Sequence, residues 1–307
     1  MQFRKLGQSD LNCSVVGLGT WGIGGGFFGT VDDKDSIAAL RAGVEAGINL
    51  IDTAPVYGDG HSEEVVGKAI DGLKREELII ATKCGRFTCE TEKIRKELER
   101  SLTLLGTDYI DLYQVHWPDD KVPFEQTFGE LAKMQKEGKI RYIGVSNFSP
   151  AQTEEAAQYC QIVSTQPQYS LLTRQIEEDL LPYCREKEIG VLSYGSIAGG
   201  ALSGKYKDRP VLEENDERAS FYEFFREEKW AYTRAMLDVL EEIAQAHGRP
   251  TVQAAINWVL KQPGITVALV GAKTPEQAVM NAQAADWALT DEENAKIEAA
   301  YQKIFAK

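Results

Sequence analysis

Strict alternation of short apolar runs with helix-length amphipathic segments is the feature that most limits what this chain can fold into. Eight runs rich in β-branched or apolar residues recur: Val15 to Gly19, Ile48 to Asp52, Leu78 to Lys83, Tyr109 to His116, Ile140 to Ser146, Val163 to Gln166, Gly190 to Tyr194 and Thr266 to Val270. Between them apolar residues return at helical spacing, as in Thr91 to Leu105, where Ile94, Leu98, Leu102 and Leu105 share a face. A right-handed crossover through each helix brings the chain back to the same edge, so the strands run parallel. Such a sheet either closes into a barrel or stays open and doubly wound. No Gly-x-Gly-x-x-Gly turn links the first strand to its helix, and polar residues end several different strands, which together favour a (β/α)8 TIM barrel. At 307 residues the chain suits one barrel domain, 1–307.

Other segments depart from the repeat. Phe3-Arg4 and Leu11-Asn12, around Gly7 to Asp10, read as an N-terminal β-hairpin capping the barrel floor. Gly22 to Gly26 reads as a mobile loop over the site. A long polar stretch, Ser196 to Arg226, and a surplus helix, Thr251 to Leu260, precede the last strand as part of extra helices toward the C-terminus. Stretches of that length without regular structure usually serve as lids or binding loops.

Charge narrows the partners. A formal net charge of −13 and a pI near 4.9 argue against nucleic acid or an anionic membrane surface, which both need a basic face. A small neutral substrate fits better, and an anionic cofactor requires a local pocket of backbone N–H groups or a few cations. Met1-Gln2-Phe3-Arg4-Lys5 leads into no apolar segment, and no membrane-length apolar run follows, so a cytoplasmic location is expected. Cys13, Cys84, Cys89, Cys160 and Cys184 are odd in number and scattered, which points to free thiols. Cys84 and Cys89 lie close enough for a metal pair, but no second Cys/His pair follows, and no metal is expected.

The second run ends in Asp52 with Tyr57 on the loop beyond it, the third in Lys83 and the fourth in His116. In a closed barrel these ends converge on one mouth. Their chemistry is coherent for carbonyl reduction, in which hydride addition leaves an alkoxide that must take a proton. A phenol with an ordinary pKa near 10 is a reluctant donor. An adjacent ammonium pulls that pKa down, a carboxylate holds the ammonium charged, and a neutral imidazole polarises the substrate oxygen. Each residue also has a plainer reading: Tyr57 as loop packing, Lys83 as a solvated strand end, His116 as a core histidine beside Trp117. His61, just before an expected N-cap at Ser62, and His247, before a helix-ending Gly248, carry no role, and Glu213 to Glu217 reads as a solvated acidic loop.

Gly17-Leu18-Gly19-Thr20-Trp21, Asp52-Thr53-Ala54 with Tyr57-Gly58, Lys83, His116-Trp117, Gly144-Val145-Ser146-Asn147-Phe148 and Gln166-Pro167-Gln168-Tyr169-Ser170 resemble, in order, the motifs of the aldo-keto reductase superfamily. The likeness runs nearly end to end, and the Asp, Tyr, Lys, His tetrad is intact. It implies a barrel that binds NADP(H) or NAD(H) across its mouth without a Rossmann domain. It also implies cofactor contacts from Thr20 and Trp21, carboxamide partners at Ser146, Asn147 and Gln166, and a ring-stacking aromatic at Tyr194. Gly195, Ser196, Ile197, Ala198, Gly200, Ser203 and Lys205 fall on the family's pyrophosphate loop. Gly271, Lys273, Gln277 and Asn281 fall on its adenosine segment. Lys273 keeps one cation for a 2′-phosphate while Gln277 stands where a second is common, so NADP(H) is expected to be preferred. Trp21, Phe27, Phe28 and Trp117 are expected to wall an apolar substrate pocket. The reading is reduction of an aldehyde or ketone, including sugar-like ones. An alcohol or aldose dehydrogenase and a cofactor-binding regulatory barrel are the alternatives.

Overall fold

Every expected strand forms, with ends moved by at most two residues. The computed structural model describes all residues except Gly26, Phe27, Thr30, Arg86, Phe87, Glu214, Asn215, Glu217, Ala306 and Lys307. The strands are β1 (Phe3–Lys5), β2 (Asn12–Ser14), β3 (Val16–Gly19), β4 (Leu50–Asp52), β5 (Ile79–Cys84), β6 (Ile110–Val115), β7 (Ile140–Ser146), β8 (Ile162–Gln166), β9 (Gly190–Ser193) and β10 (Ile265–Val270). Helices α1 (Asp33–Glu45), α2 (His61–Ile70), α3 (Thr91–Leu105), α4 (Phe124–Lys136), α5 (Pro150–Ala156) and α6 (Leu180–Glu186) follow β3 to β8 in turn. After β9 come α7 (Arg218–Phe221), α8 (Glu227–Ala246) and α9 (Thr251–Lys261), and after β10 come α10 (Pro275–Ala282) and α11 (Asp291–Phe305).

Strands β3 to β10 close into a parallel barrel in chain order, with β10 pairing β3. Their residues are buried on both faces, which is why the sequence shows apolar runs rather than alternation. Inside, Leu50, Ala81, Leu112, Leu192, Val267 and Leu269 pack on one another, and Leu6 and Leu11 close the cluster from below. The outward side chains, such as Leu18, Ile80, Tyr113 and Ile143, meet the helices. Helix α3 buries Ile94, Leu98 and Leu105 and ends at Gly106, whose φ of 63° suits only a residue without a Cβ penalty.

The hairpin exists, but β2 begins one residue later than expected because Leu11 turns into the barrel floor. Gly7 is obligatory there: at φ +52° an added Cβ would lie 2.2 Å from the Val163 carbonyl oxygen. The surplus helix requires a correction. Helix α9 packs against β10 and is the true crossover helix, whereas α8 packs on α9 and α11 and is the addition. No helix among the described residues is long and apolar enough to cross a membrane.

Candidate active site and cofactor cleft

A cleft of about 520 Å³ opens at the carboxyl ends of the barrel strands. Asp52, Ser146 and Gln166 end β4, β7 and β8, while His116 and Tyr194 lie one residue beyond β6 and β9. All five line the cleft together with Tyr57. Lys83 lies beneath, fully buried, on β5. Its ammonium donates to Asp52 Oδ1 at 2.7 Å and to the Thr53 carbonyl at 2.9 Å. The third donor reaches the Tyr57 hydroxyl at 3.3 Å. The tetrad is therefore assembled, although its members are spread over 65 positions between Asp52 and His116 and share no local motif.

Two glycines hold the Tyr57 loop in place. Gly58 adopts φ +64°, and a Cβ there would lie 2.0 Å from the Gly24 carbonyl oxygen. A Cβ on Gly24 would in turn lie 2.6 Å from the Tyr57 carbonyl carbon. The glycine-rich stretch read as a loop over the site is thus also the support on which Tyr57 rests. Ser62 is not the N-cap: Gly60 takes that position at φ 89° and α2 starts at His61. Ser62 Oγ instead donates to Thr20 Oγ1 at 2.7 Å and lies 3.0 Å from Thr53 Oγ1, tying the loop to β3. His61 meets Asp33 at 2.8 Å, and His247 meets Glu293 at 2.7 Å, both away from the cleft.

The electrostatics correct one expectation. Burial raises the Tyr57 phenol well above its usual value, and the Asp52 carboxylate pushes the same way. Lys83, 3.3 Å from the hydroxyl and paired with Asp52 at 2.7 Å, does not offset these two effects. Burial lowers the Lys83 ammonium, with Asp52 opposing. His116 is pushed down to about 3, by burial first and by Lys83 second. Its ring faces Tyr57 edge-on, with centroids 6.0 Å apart. At neutral pH the site presents a protonated phenol and a neutral imidazole side by side.

Beyond these lies an amide-rich wall. Asn147 is held at φ +61°, a left-handed conformation, by bonds from its amide to the His116 carbonyl and Ser146 Oγ, both 3.0 Å. Its Oδ1 accepts from the Tyr194 hydroxyl at 3.0 Å. Thr20 also lines the cleft, its hydroxyl bonded to the Asp52 carbonyl at 2.9 Å. Trp21 packs edge-on against Phe28 at 5.0 Å and Phe221 at 4.8 Å, and Trp117, half exposed, stacks on His116. Phe27 lies outside the described residues.

At the other end the chain runs Gly195, Ser196, Ile197, Gly200, Ser203 and Lys205 along the cleft. Two expectations shift here. Ala198 is fully buried and is not part of the lining, and Ser196 turns its hydroxyl inward to the Ser193 carbonyl at 3.0 Å. Gly271, Lys273, Gln277 and Asn281 line the far wall. Gln277 accepts from the Lys273 backbone at 2.8 Å, and Asn281 donates to the Gly271 carbonyl at 3.2 Å. The Lys273 ammonium reaches across to the Phe28 carbonyl at 2.5 Å.

Sequence reasoning missed Arg218, which lines the cleft and pairs with Asp216 at 2.6 Å. Burial lowers the Lys273 ammonium, and the like charges of Arg218 and Lys205 lower it further, with the Asp216 and Glu213 carboxylates opposing. Three cations therefore gather in a chain of net charge −13, which is the local pocket an anionic cofactor requires. The only signal was a lone arginine after an acidic run. Gln114, a polar residue two positions after Leu112 on the inward side of β6, was also missed.

A parallel eight-stranded barrel with its polar groups at the strand ends defines a TIM-barrel protein with a cleft suited to a long, partly anionic ligand. Residues 15–302 match the model of the aldo/keto reductase family. The chain is 36% identical to the NADH-specific methylglyoxal reductase of Escherichia coli, over 93% of this chain and 94% of that one. Its fold matches a glycerol dehydrogenase from Gluconobacter oxydans with a TM-score of 0.90 at 36% identity, covering 100% of this chain and 97% of that one. An aldo/keto reductase from Klebsiella pneumoniae, solved with NADP and acetate, matches with a TM-score of 0.79 at 30% identity over 98% and 96% of the two chains. The chain belongs to the aldo/keto reductase family, oxidoreductases that interconvert carbonyls and alcohols with a nicotinamide cofactor.

Proposed function

We propose that this reductase uses Tyr57 to protonate an aldehyde or ketone oxygen, with NADP(H) as the preferred cofactor. The observation that carries the reading is the Lys83 ammonium, bonded at once to Asp52 and to the Tyr57 hydroxyl at the base of the cleft. The residues present fit a nicotinamide dinucleotide. Aromatic and amide side chains lie at the Tyr57 end, and Lys205, Arg218 and Lys273 gather at the other. When bound, the cofactor supplies the hydride.

The chain's own groups do the rest. Tyr57 holds its proton over the whole neutral range, so the competent acid is always present. Neutral His116 donates an N–H to the substrate oxygen and steadies the charge that gathers there. Asp52 keeps Lys83 oriented, and Lys83 donates to the phenol oxygen as it gives up its proton. Ser146, Asn147 and Gln166 would hold the carboxamide of a bound nicotinamide, and Tyr194 would supply an aromatic face beside it. Gly195, Ile197, Gly200, Ser203 and Lys205 would cradle the phosphates, and Trp21, Phe28 and Trp117 would wall the carbonyl compound. Free thiols at all five cysteines suit a cytoplasmic setting.

Lys273 and Arg218 favour NADP(H) by offering charge to a 2′-phosphate, whereas the Escherichia coli relative is named for NADH. Consumption of NADPH and of NADH with a nitrobenzaldehyde, and the reverse oxidation of a panel of alcohols, test the reading. Faster turnover with NADPH supports it. No turnover of either cofactor in either direction contradicts it.

A further inference from the structure

We propose that Gln114 is a positioning residue that holds the Asp52 carboxylate in register with Lys83; the proposal rests on the reductase reading above. Inward positions of the barrel alternate along each strand, and Leu50, Ala81 and Leu112 fill one layer. The next layer toward the mouth holds Asp52, Lys83 and Gln114, with Lys83 paired to Gln114 in the β5–β6 register. Barrel interiors favour branched apolar residues at such positions, and a buried amide costs free energy unless it is bonded.

Gln114 is fully buried, and its Nε2 lies 3.1 Å from Asp52 Oδ2. Gln166 Nε2 reaches the same oxygen at 2.7 Å and lies 3.3 Å from Gln114 Oε1. A carboxylate only accepts, so both amides must turn their nitrogens toward it. Asp52 thus gives one oxygen to Lys83 and the other to two amides, which fixes its rotation. The barrel makes room for this arrangement: a Cβ on Gly144 would lie 3.1 Å from Gln114 Cγ and 2.5 Å from Ser164 Oγ. Gln114 does not line the cleft, so its influence passes through Asp52 and Lys83 to Tyr57. The titratable groups facing this position are Asp52 and Lys83, with Tyr57 and His116 beyond them.

Gln114→Met keeps the length and removes the donor. Its kcat is expected to fall about tenfold or more, the scale of one charge-assisted hydrogen bond, while KM and NADPH affinity stay within about threefold. Gln114→Glu donates only while its carboxyl is protonated, and its ionisation is opposed by burial and by Asp52. Its kcat is therefore expected to decline as pH rises from about 5 to 8, where the wild-type protein is level. Urea unfolding reads the same contact without turnover: Gln114→Glu should lose stability relative to wild type over that pH range, and lose less when Asp52→Asn removes the carboxylate it faces. Wild-type kcat in Gln114→Met, or an unfolding profile of Gln114→Glu parallel to wild type, overturns the proposal. Equal losses of turnover and NADPH binding also overturn it, because they mark general packing. If the wild-type protein itself turns over no NAD(P)H, the reductase reading fails, and the unfolding arm still decides whether Gln114 holds Asp52.

Discussion

The two ends of the cleft treat charge in opposite ways. At the Tyr57 end the Lys83 ammonium is buried and answered by a carboxylate at 2.7 Å, both carried by barrel strands. At the far end Lys205 and Lys273 sit on connecting segments and Arg218 opens the single-turn helix α7; the like charges of Lys205 and Arg218 act on Lys273, and Asp216 is the carboxylate bonded to Arg218. A neutralised, enclosed cluster can tune proton transfer but contributes little attraction to an anion. A cluster of three cations with Asp216 bonded to only one of them keeps charge to attract phosphate but is poorly placed for chemistry. The difference implies that turnover and cofactor affinity are separable by mutation.

The largest expected effect comes from the enclosed end. Lys83→Met strands the Asp52 charge in the barrel, and breaking a buried pair in this way costs about 3–5 kcal/mol. Urea unfolding should show that loss, and turnover should fall with it. A Lys83→Met protein of wild-type stability would mean that the two amides alone satisfy Asp52. At the open end, Lys273→Met should weaken NADPH binding about 10–100-fold, because one charge-assisted contact to phosphate contributes roughly 1.5–3 kcal/mol. NADH binding should hardly change. Fluorescence titration of both cofactors checks this, and an equal loss for NADH would show that Lys273 does not read a 2′-phosphate.

An effect of similar size to the loss of Lys273, seen only in acid, concerns His116. His116 titrates near 3 in the folded protein against about 6.5 in an unfolded chain. Below about pH 6.5 the unfolded state binds the proton first, so stability present above that pH is lost as pH falls toward the folded value. Between pH 6.5 and 4.5 this contributes a loss of roughly 2–3 kcal/mol. His116→Gln removes that component, so its urea midpoint should fall less steeply over the same range. Parallel profiles would mean that His116 is not held neutral by its surroundings.

Much of this contrast is legible in the order of residues along the chain. The strands announce themselves because parallel barrel strands are buried on both faces and so appear as unbroken apolar runs. Asp52, Lys83 and His116 stand out because they are polar residues ending or just following such runs. What escaped depends on three-dimensional pairing. The direction of the Tyr57 shift could not be read, since sequence order does not show that burial and Asp52 outweigh Lys83 at the phenol. Arg218 falls in the long polar stretch 196–226, and the single-turn helix α7 that it opens is too short to show periodicity, so nothing marked it as facing the cleft. Helices α8 and α9 both carry apolar faces, and only packing shows that α9 meets β10. Gln114 looked like one more residue in an apolar strand, because its value comes from Asp52, 62 positions earlier.

The most direct test of separable ends is Tyr57→Phe, which removes the hydroxyl at the enclosed end and leaves the cationic end untouched. NADPH affinity by fluorescence and turnover of a nitrobenzaldehyde are measured on the same protein. Turnover should fall ~10²–10⁴-fold, the usual scale of general acid catalysis, while NADPH affinity stays within about twofold. Wild-type turnover would contradict Tyr57 as the proton donor, and a matching loss of NADPH affinity would contradict the separation of the two ends.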